Sequence, residues 1–145
     1  MKTVSAAKYT KIEAVLARYT PYAEACRTLL TQYGSALTDS FPCIAPEAPA
    51  LYVVIASNRG LCGGYNSALF QYTEDVLASA ASPYQLFTCG KMAQNYFGDR
   101  AFEHYILPDV PEFSDCMPFF DRLRMLYISG AISSITFLYE HFQNF

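Results

Sequence analysis

The chain has 145 residues, enough for one domain with a sizeable core, and 52% of them are hydrophobic against 16% charged. This balance excludes a disordered chain, and the formal net charge of −3 argues against binding nucleic acid or an anionic membrane. The apolar runs 50–56 and 126–132 are far shorter than the roughly 20 residues that span a bilayer, and residues 1–3 do not open a signal peptide, so we expect a cytosolic chain.

The first predicted element is a long helix over residues 1–36. Apolar or small residues recur there in alternating steps of three and four, the heptad pattern of a helix that lies along another helix. The seam consists of Tyr9, Ile12, Leu16, Tyr19, Ala23, Cys26, Leu30 and Tyr33. An ordinary surface helix with its apolar face on a core is the alternative. Pro21 is expected to kink the helix or to begin a second one, with Thr20 as its N-cap.

Residues 37–50 are predicted to form a linker, because prolines interrupt this stretch and it shows no periodicity. From residue 51 to 145, short apolar runs alternate with stretches of helical spacing. Strands are predicted at 51–57, 84–89, 103–107 and 134–139, and helices at 66–80, 90–97 and 119–129. This alternation predicts an α/β domain with a mostly parallel sheet of about four strands and flanking helices.

A glycine-rich turn at residues 58–64 lies between a predicted strand and a predicted helix, where α/β folds hold phosphate groups. Its spacing matches neither the dinucleotide fingerprint, since Cys62 stands at the second glycine position, nor a Walker A loop. We therefore interpret Gly63 and Gly64 as a tight turn at positive φ, and Asn66 as the helix N-cap. The alternative is a small nucleotide- or phosphate-binding enzyme that uses residues 60–64.

The other reactive side chains do not form a recognisable site. The cysteines contain no C-x-x-C pair, which predicts reduced packing thiols and no metal site; they are Cys26, Cys43, Cys62, Cys89 and Cys116. His104 and His141 are predicted to be surface or hydrogen-bonded histidines. Adjacent Glu74 and Asp75 point to different sides of a helix, which is poor geometry for a catalytic pair. We expect no catalytic residue, metal or cofactor on this chain.

Three segments closely resemble a known family. Residues 57–70, SNRGLCGGYNSALF, resemble the signature that follows the first strand of the gamma subunit of F-type ATP synthases. Residues 1–8 and 21–24 look like the long N-terminal helix of that family, and 127–142 are similar to its last sheet strand. Because the three motifs follow the order of the family, the chain is identified as a member.

The resemblance implies a central rotor stalk that couples proton-driven rotation to ATP synthesis, without catalytic residues of its own. It implies a Rossmann-like domain beside a coiled-coil helix, and as partners the alpha, beta and epsilon subunits and the membrane c-ring. It also implies a peripheral location at the cytoplasmic side of the bacterial plasma membrane, without insertion. The loop expected to face the beta subunits consists of Arg59, Gly60, Leu61, Cys62, Gly63 and Gly64.

Compared with that family, the chain begins later and stops before the C-terminal helix of the coiled coil. The seam of the first helix is therefore expected to fold back, pair with another copy of itself or fray. A third hypothesis is a stand-alone divergent relative that uses this helix as a partner-binding arm in a regulatory role.

Overall fold

The computed structural model describes residues 2–40 and 45–140, which divide into two compact units, Met1–Pro42 and Cys43–Phe145. The first unit is one helix, α1 (Lys2–Ser40), which includes residues 37–40 of the expected linker. It continues through Pro21, although an internal proline removes a backbone donor and disfavours the helix. The Thr20 hydroxyl donates to the carbonyl of Leu16 at 2.8 Å, so the prediction of Thr20 as an N-cap is wrong.

The predicted seam lies on the surface of α1. Leu16, Leu30 and Tyr33 are 56%, 61% and 57% exposed, and Cys26 is half-buried. Ile12, Tyr19 and Ala23 are exposed as well, while the side chain of Tyr9 lies outside the described residues. Pairing of this seam with another helix remains a prediction.

The second unit is an α/β domain with a four-stranded, entirely parallel sheet, as the sequence predicted. Its strands are β1 (Ala50–Ile55), β2 (Tyr84–Cys89), β3 (Glu103–Tyr105) and β4 (Ser134–Leu138), in the order β3-β2-β1-β4. Its helices are α2 (Tyr65–Ala78), α3 (Lys91–Phe97) and α4 (Phe113–Ile128), and the 3-10 turn Gly98–Arg100 follows α3. The strand predicted at 103–107 ends earlier, at Tyr105.

The core has two layers, because successive side chains of a strand point to opposite faces of the sheet. On one face, Leu51 and Val53 of β1 join Phe119, Leu123 and Leu126 of α4 in one buried cluster. The opposite face packs against α2 and α3; its buried cluster consists of Val54, Leu69, Phe70, Leu77, Leu86, Ala93, Phe97 and Leu138. The central strand β1 is thus covered on both faces, as expected of a parallel sheet.

Helix α4 begins at Phe113, well before the predicted start at residue 119. A capping box explains the earlier start: the backbone N–H of Glu112 donates to Asp115 Oδ2 at 2.8 Å. Pro118 lies inside the helix, which continues across it as α1 continues across Pro21. The predicted start at residue 119 was wrong because the capping residues, Glu112 and Asp115, lie earlier in the chain.

Candidate partner-binding turn

All four strands are parallel, so their carboxyl ends meet at one edge of the sheet, where α/β proteins commonly place functional loops. The segment after β1 lies at this edge and leads into α2. A cleft of about 360 Å³ opens beside it, lined by residues that follow β1, β2 and β3, among them Asn58, Gly90 and Leu107. Residues 59–64, called here the 59–64 turn, lie at this edge and are the residues predicted to bind a partner.

The backbone of the turn contains two left-handed residues. Gly63 has φ of 63°, as predicted, and Leu61 has φ of 59° and is the non-glycine residue with positive φ in the described chain. Gly64 instead has φ of −79°, so its predicted positive φ is wrong. Gly64 has a right-handed helical backbone and is the N-cap of α2; its carbonyl accepts the first intrahelical hydrogen bond from Ala68 at 2.9 Å.

Asn66 holds the two ends of the turn together from inside α2. Its side chain is buried, and Nδ2 donates to Ser57 Oγ at 2.8 Å and to Cys62 Sγ at 3.0 Å. The backbone N–H of Ser57 donates to Asn66 Oδ1 at 3.2 Å. The prediction of Asn66 as an N-cap is therefore wrong, since its amide reaches back to the end of β1 and Gly64 takes the N-cap position.

Asn58 connects the segment after β1 to two other segments at the same edge. Its Nδ2 donates to the carbonyl of Leu107, after β3, at 2.6 Å, and its Oδ1 accepts the backbone N–H of Lys91 in α3 at 3.2 Å. The carbonyl of Ser57 accepts the N–H of Met92 at 3.0 Å. Groups of the protein itself therefore occupy the first amides of α3, which a phosphate would otherwise approach.

Gly90 lets the ends of β1 and β2 come into close contact. It has φ of 100°, and a Cβ placed there would lie 2.2 Å from the carbonyl oxygen of Ala56. Its own N–H donates to the carbonyl of Tyr105 at 2.9 Å. A side chain at position 90 would displace the backbone of Ala56, which lines the cleft.

Arg59, Leu61 and Cys62 have exposed side chains in the turn. The Arg59 guanidinium lies 3.0 Å from a carboxylate oxygen of Asp109, yet the Arg59 side chain is 77% exposed. Such a surface ion pair contributes little to stability, so it leaves Arg59 available to a partner. Leu61 is fully exposed.

The four described cysteines are free thiols, as predicted, and Cys43 lies outside the described residues. Cys62 is exposed in the turn, so the prediction of a packing thiol is wrong for this residue, whereas Cys89 is buried at the end of β2. Burial raises the pKa of Cys89 to about 11, with Cys116 adding to the rise and a backbone hydrogen bond from Leu107 opposing it. Cys89 therefore stays protonated at neutral pH and is a poor nucleophile.

His104 is hydrogen-bonded, as predicted: its Nδ1 lies 2.6 Å from the hydroxyl of buried Thr88 on the neighbouring strand. His141 lies outside the described residues. In residues 2–40 and 45–140, no three or more His, Cys, Asp or Glu side chains are grouped so that they could hold a metal ion. Nor does that part of the chain contain a helix both long enough and apolar enough to cross a membrane.

Comparison with known proteins identifies the family. The family model described as ATP synthase matches residues 1–145. The chain belongs to the ATP synthase family. The resemblance to gamma subunits that the sequence predicted is confirmed, because the chain aligns with ATP synthase gamma chains over nearly its whole length.

Two relatives illustrate the extent of that similarity. The ATP synthase gamma chain of Staphylococcus carnosus (strain TM300) is 29% identical over 153 residues, a match that covers 99% of this chain and 53% of the relative. The gamma chain of Moorella thermoacetica (strain ATCC 39073 / JCM 9320) is 28% identical, with 98% and 53% covered. The chain therefore spans about half the length of these relatives. Among solved structures, the rotor of the Euglena gracilis mitochondrial ATP synthase matches with a TM-score of 0.43 and 17% identity, covering 78% of this chain and 51% of that one.

Sequence reasoning placed the turn of this ATP synthase family member correctly but missed the residues that hold it. Asn58 and Gly90 were not singled out as structural residues, and Asn66 was given a different role. Gly90 carried a readable signal, because a glycine directly after a strand often marks close backbone approach. The partners of Asn58 follow β2 and β3, far along the chain, so nothing local could indicate them.

Proposed function

We propose that this chain acts as a central-stalk subunit of an F-type ATP synthase, which transmits rotation to catalytic sites on other subunits and has none of its own. The observation that carries the proposal is the family match over residues 1–145, together with gamma-chain relatives that align with 98% to 99% of the chain. On this basis residues 1–36 form the stalk arm, 37–50 the connection and 51–145 the base domain.

The proposed partners are the alpha and beta subunits, with the epsilon subunit and the membrane c-ring at the base. Two surfaces support protein partners. The exposed seam of α1 supplies apolar side chains such as Leu16 and Leu30 for helix pairing, and the 59–64 turn supplies Arg59 and Leu61 for contact with the beta subunits. Peripheral attachment at the cytoplasmic side of the bacterial plasma membrane follows from this assembly.

Reconstitution tests the function directly. The chain, and a version extended to the full length of its gamma relatives, are mixed with cognate alpha and beta subunits, and the complexes are purified and assayed for ATP hydrolysis. We expect the extended version to co-purify and to stimulate hydrolysis, and this chain to bind more weakly. If neither version associates, the family membership reflects ancestry alone and the proposed function is wrong.

The alternative, a phosphate- or nucleotide-binding enzyme, would use the backbone of residues 60–64, whose glycine spacing matches no phosphate-binding fingerprint. Within that turn the Cys62 Sγ accepts a hydrogen bond from Asn66, and in the separate helix α3 the first amides donate to Asn58 and Ser57. Titration with ATP, NAD or inorganic phosphate, followed by calorimetry, is expected to show no saturable binding in the micromolar range. Saturable binding of any of the three would revive that alternative.

A further inference from the structure

Two of the free thiols lie on the same face of the sheet, between β2 and α4. Cys89 is the last residue of β2 and belongs to the buried cluster that α4 covers. It follows Phe87 by two residues, so the two side chains point to the same face. Cys116 lies near the start of α4 and is half-buried.

Cys116 belongs to the side of α4 that faces the sheet. Phe119, Leu123 and Leu126 of this helix are buried, and they follow one another at the spacing of residues on one helix face. Cys116 precedes Phe119 by three residues, which places it on that same face, one turn closer to the start of the helix.

The topology determines how this face runs over β2. All four strands are parallel, so α4, which leads from the carboxyl end of β3 to the amino end of β4, runs against them. The rings of Phe119 and Phe87 meet with centroids 5.5 Å apart. From that contact, one turn back along α4, about 4.5 Å, and two residues onward along β2, about 6.6 Å, both lead to the carboxyl edge. Cys116 and Cys89 therefore face each other there.

The electrostatics of the two thiols agrees with this placement. The rise in the pKa of Cys89 is caused first by burial, and Cys116 adds to it. Two groups that disfavour each other's ionisation in this way lie close together. Burial also raises the pKa of Cys116, with Asp115 adding to the rise, so the pair is protonated at neutral pH.

We propose that Cys89 and Cys116 are a thiol pair that a low-molecular-weight disulfide, such as glutathione disulfide, oxidises to a covalent bridge between β2 and α4. Cys116, the more accessible of the two, attacks one sulfur of the reagent as a thiolate, which breaks the S–S bond, forms a mixed disulfide and releases one glutathione. The Cys89 thiolate then attacks the Cys116 sulfur and releases the second glutathione. Two protein thiols are oxidised, both sulfurs of the reagent are reduced, and the two protons leave on the glutathione thiols. This pair concerns only the base domain, so its chemistry does not depend on the proposed function.

Peptide mapping of the full chain tests the pair. The chain is equilibrated at low concentration with reduced and oxidised glutathione at pH 9, where more of each thiol is ionised, and is then digested without reduction. We expect a linked peptide that joins Cys89 to Cys116, lower in mass by two hydrogen atoms and cleaved by dithiothreitol. The ratio of bridged chain to glutathione adduct should be at least tenfold higher in the folded chain than in denaturing urea, because the fold holds the two thiols together. Equal ratios, or a link from Cys89 to a different cysteine, would overturn the inference.

Three variants separate the roles of the thiols. In Cys89→Ala a glutathione adduct should persist at Cys116, and in Cys116→Ala the buried Cys89 should stay unmodified. Because Cys116 is only half-buried, its variant tests the pair without disturbing the core. Cys62→Ala is the matched control, since Cys62 is exposed, and the Cys89–Cys116 link should form in it as in the original chain.

The bridge should also raise the urea midpoint of unfolding, because it closes the loop of residues 89–116 in the unfolded chain. If the bridged chain unfolds at a lower urea concentration than the reduced chain, the fold does not bring the two thiols into bonding position, and the inference is wrong. Loss of the link in Cys62→Ala would overturn it as well.

Discussion

At the scale of single residues, the carboxyl edge of the sheet depends on positions where a side chain does not fit. Gly90 is the clearest of them, because the missing Cβ would lie 2.2 Å from the Ala56 carbonyl oxygen, a backbone atom. Backbone cannot rotate away as a flexible side chain can, so the ends of β1 and β2 would have to separate. The hydrogen bond from Ala56 N–H to the Cys89 carbonyl, 2.9 Å long, would be lost in that movement.

Gly90→Ala is therefore expected to lower the free energy of unfolding by roughly 3–5 kcal/mol, through the left-handed strain and the clash with backbone together. Urea denaturation followed by circular dichroism measures the loss. Gly60→Ala is the matched control, since its Cβ would lie 3.9 Å from the Met92 side chain, an ordinary contact, and it should change stability by less than about 1 kcal/mol. Equal effects of the two substitutions would contradict the argument.

Cys89 links stability to alkaline pH. Its pKa rises from 9.0 to about 11 in the folded chain because burial penalises the thiolate. The contribution of the protonated thiol is complete below about pH 9 and is lost as the pH rises through 11, because only the unfolded chain ionises readily in that window. A shift of this size corresponds to roughly 2–3 kcal/mol.

We expect Cys89→Ala to reduce the fall in unfolding free energy between pH 9 and pH 11 relative to the original chain. The measurement is urea denaturation at three or four pH values across that range. Cys62→Ala serves as the control for the loss of a cysteine outside the buried core, since Cys62 is exposed. Parallel curves for all three chains would show that Cys89 does not carry the effect.

At the scale of elements, α2 and α3 are joined by aromatic rings and by one ion pair. Phe70 of α2 stacks on Tyr96 of α3 with ring centroids 4.5 Å apart, and its ring meets Phe97 edge-on at 5.5 Å. Beside them, the Arg100 guanidinium donates to both carboxylate oxygens of Glu74, at 2.6 and 2.8 Å. The hydrogen bonds from Arg100 lower the pKa of Glu74.

Of the two contacts, the aromatic one should contribute more to the free energy of unfolding. Phe70→Ala removes a buried ring and is expected to cost roughly 3–5 kcal/mol, whereas Glu74→Gln breaks a solvent-exposed pair and should cost less than about 1 kcal/mol. The small contribution of Glu74 is present at neutral pH and disappears as acid protonates the carboxylate. Thermal unfolding of both variants tests the ranking, and a larger loss for Glu74→Gln would reverse it.

The elements themselves could be predicted where their pattern is local. The run that became β1 is a continuous apolar stretch bounded by turn residues, and it formed as a strand. Helix ends were harder to predict: Pro21 was expected to kink the first helix or begin a second one although α1 continues across it, and α4 begins six residues before the predicted start at 119. The turn was recognised from its glycines, but its supports are Asn58 and Asn66, whose partners are set by strand order and so become visible only in three dimensions.

At the scale of the whole molecule, the two units differ in how their backbone is protected. The central strands β1 and β2 of the base domain contribute buried residues to both faces of the sheet, whereas the described side chains of α1 are exposed or half-buried. Most of the stability of a helix in a protein comes from tertiary packing of an apolar face, and the described side chains of α1 supply little of it. The arm should therefore open far more often than the base domain.

Hydrogen–deuterium exchange read by mass spectrometry should show this difference. Peptides from residues 10–34 are expected to exchange within seconds, and peptides covering β1 at least a hundredfold more slowly, since β1 opens only with the domain. Repeating the exchange at two protein concentrations provides the control. Slow exchange of the arm that depends on concentration would indicate pairing of α1 with a second copy, and slow exchange at every concentration would contradict the expectation.

The register of the sheet also has a consequence for how the chain folds as it is synthesised. Ala50 of β1 pairs with Tyr84 of β2 on one side and with Ser134 of β4 on the other. More than half of the chain therefore lies between Ala50 and Ser134, which pair in the sheet. Pairing over such a distance closes a large loop and is slow compared with local structure. One edge of the central strand thus stays open on the ribosome until residue 138 has emerged, and the docking of β4 is the step that pairs this edge.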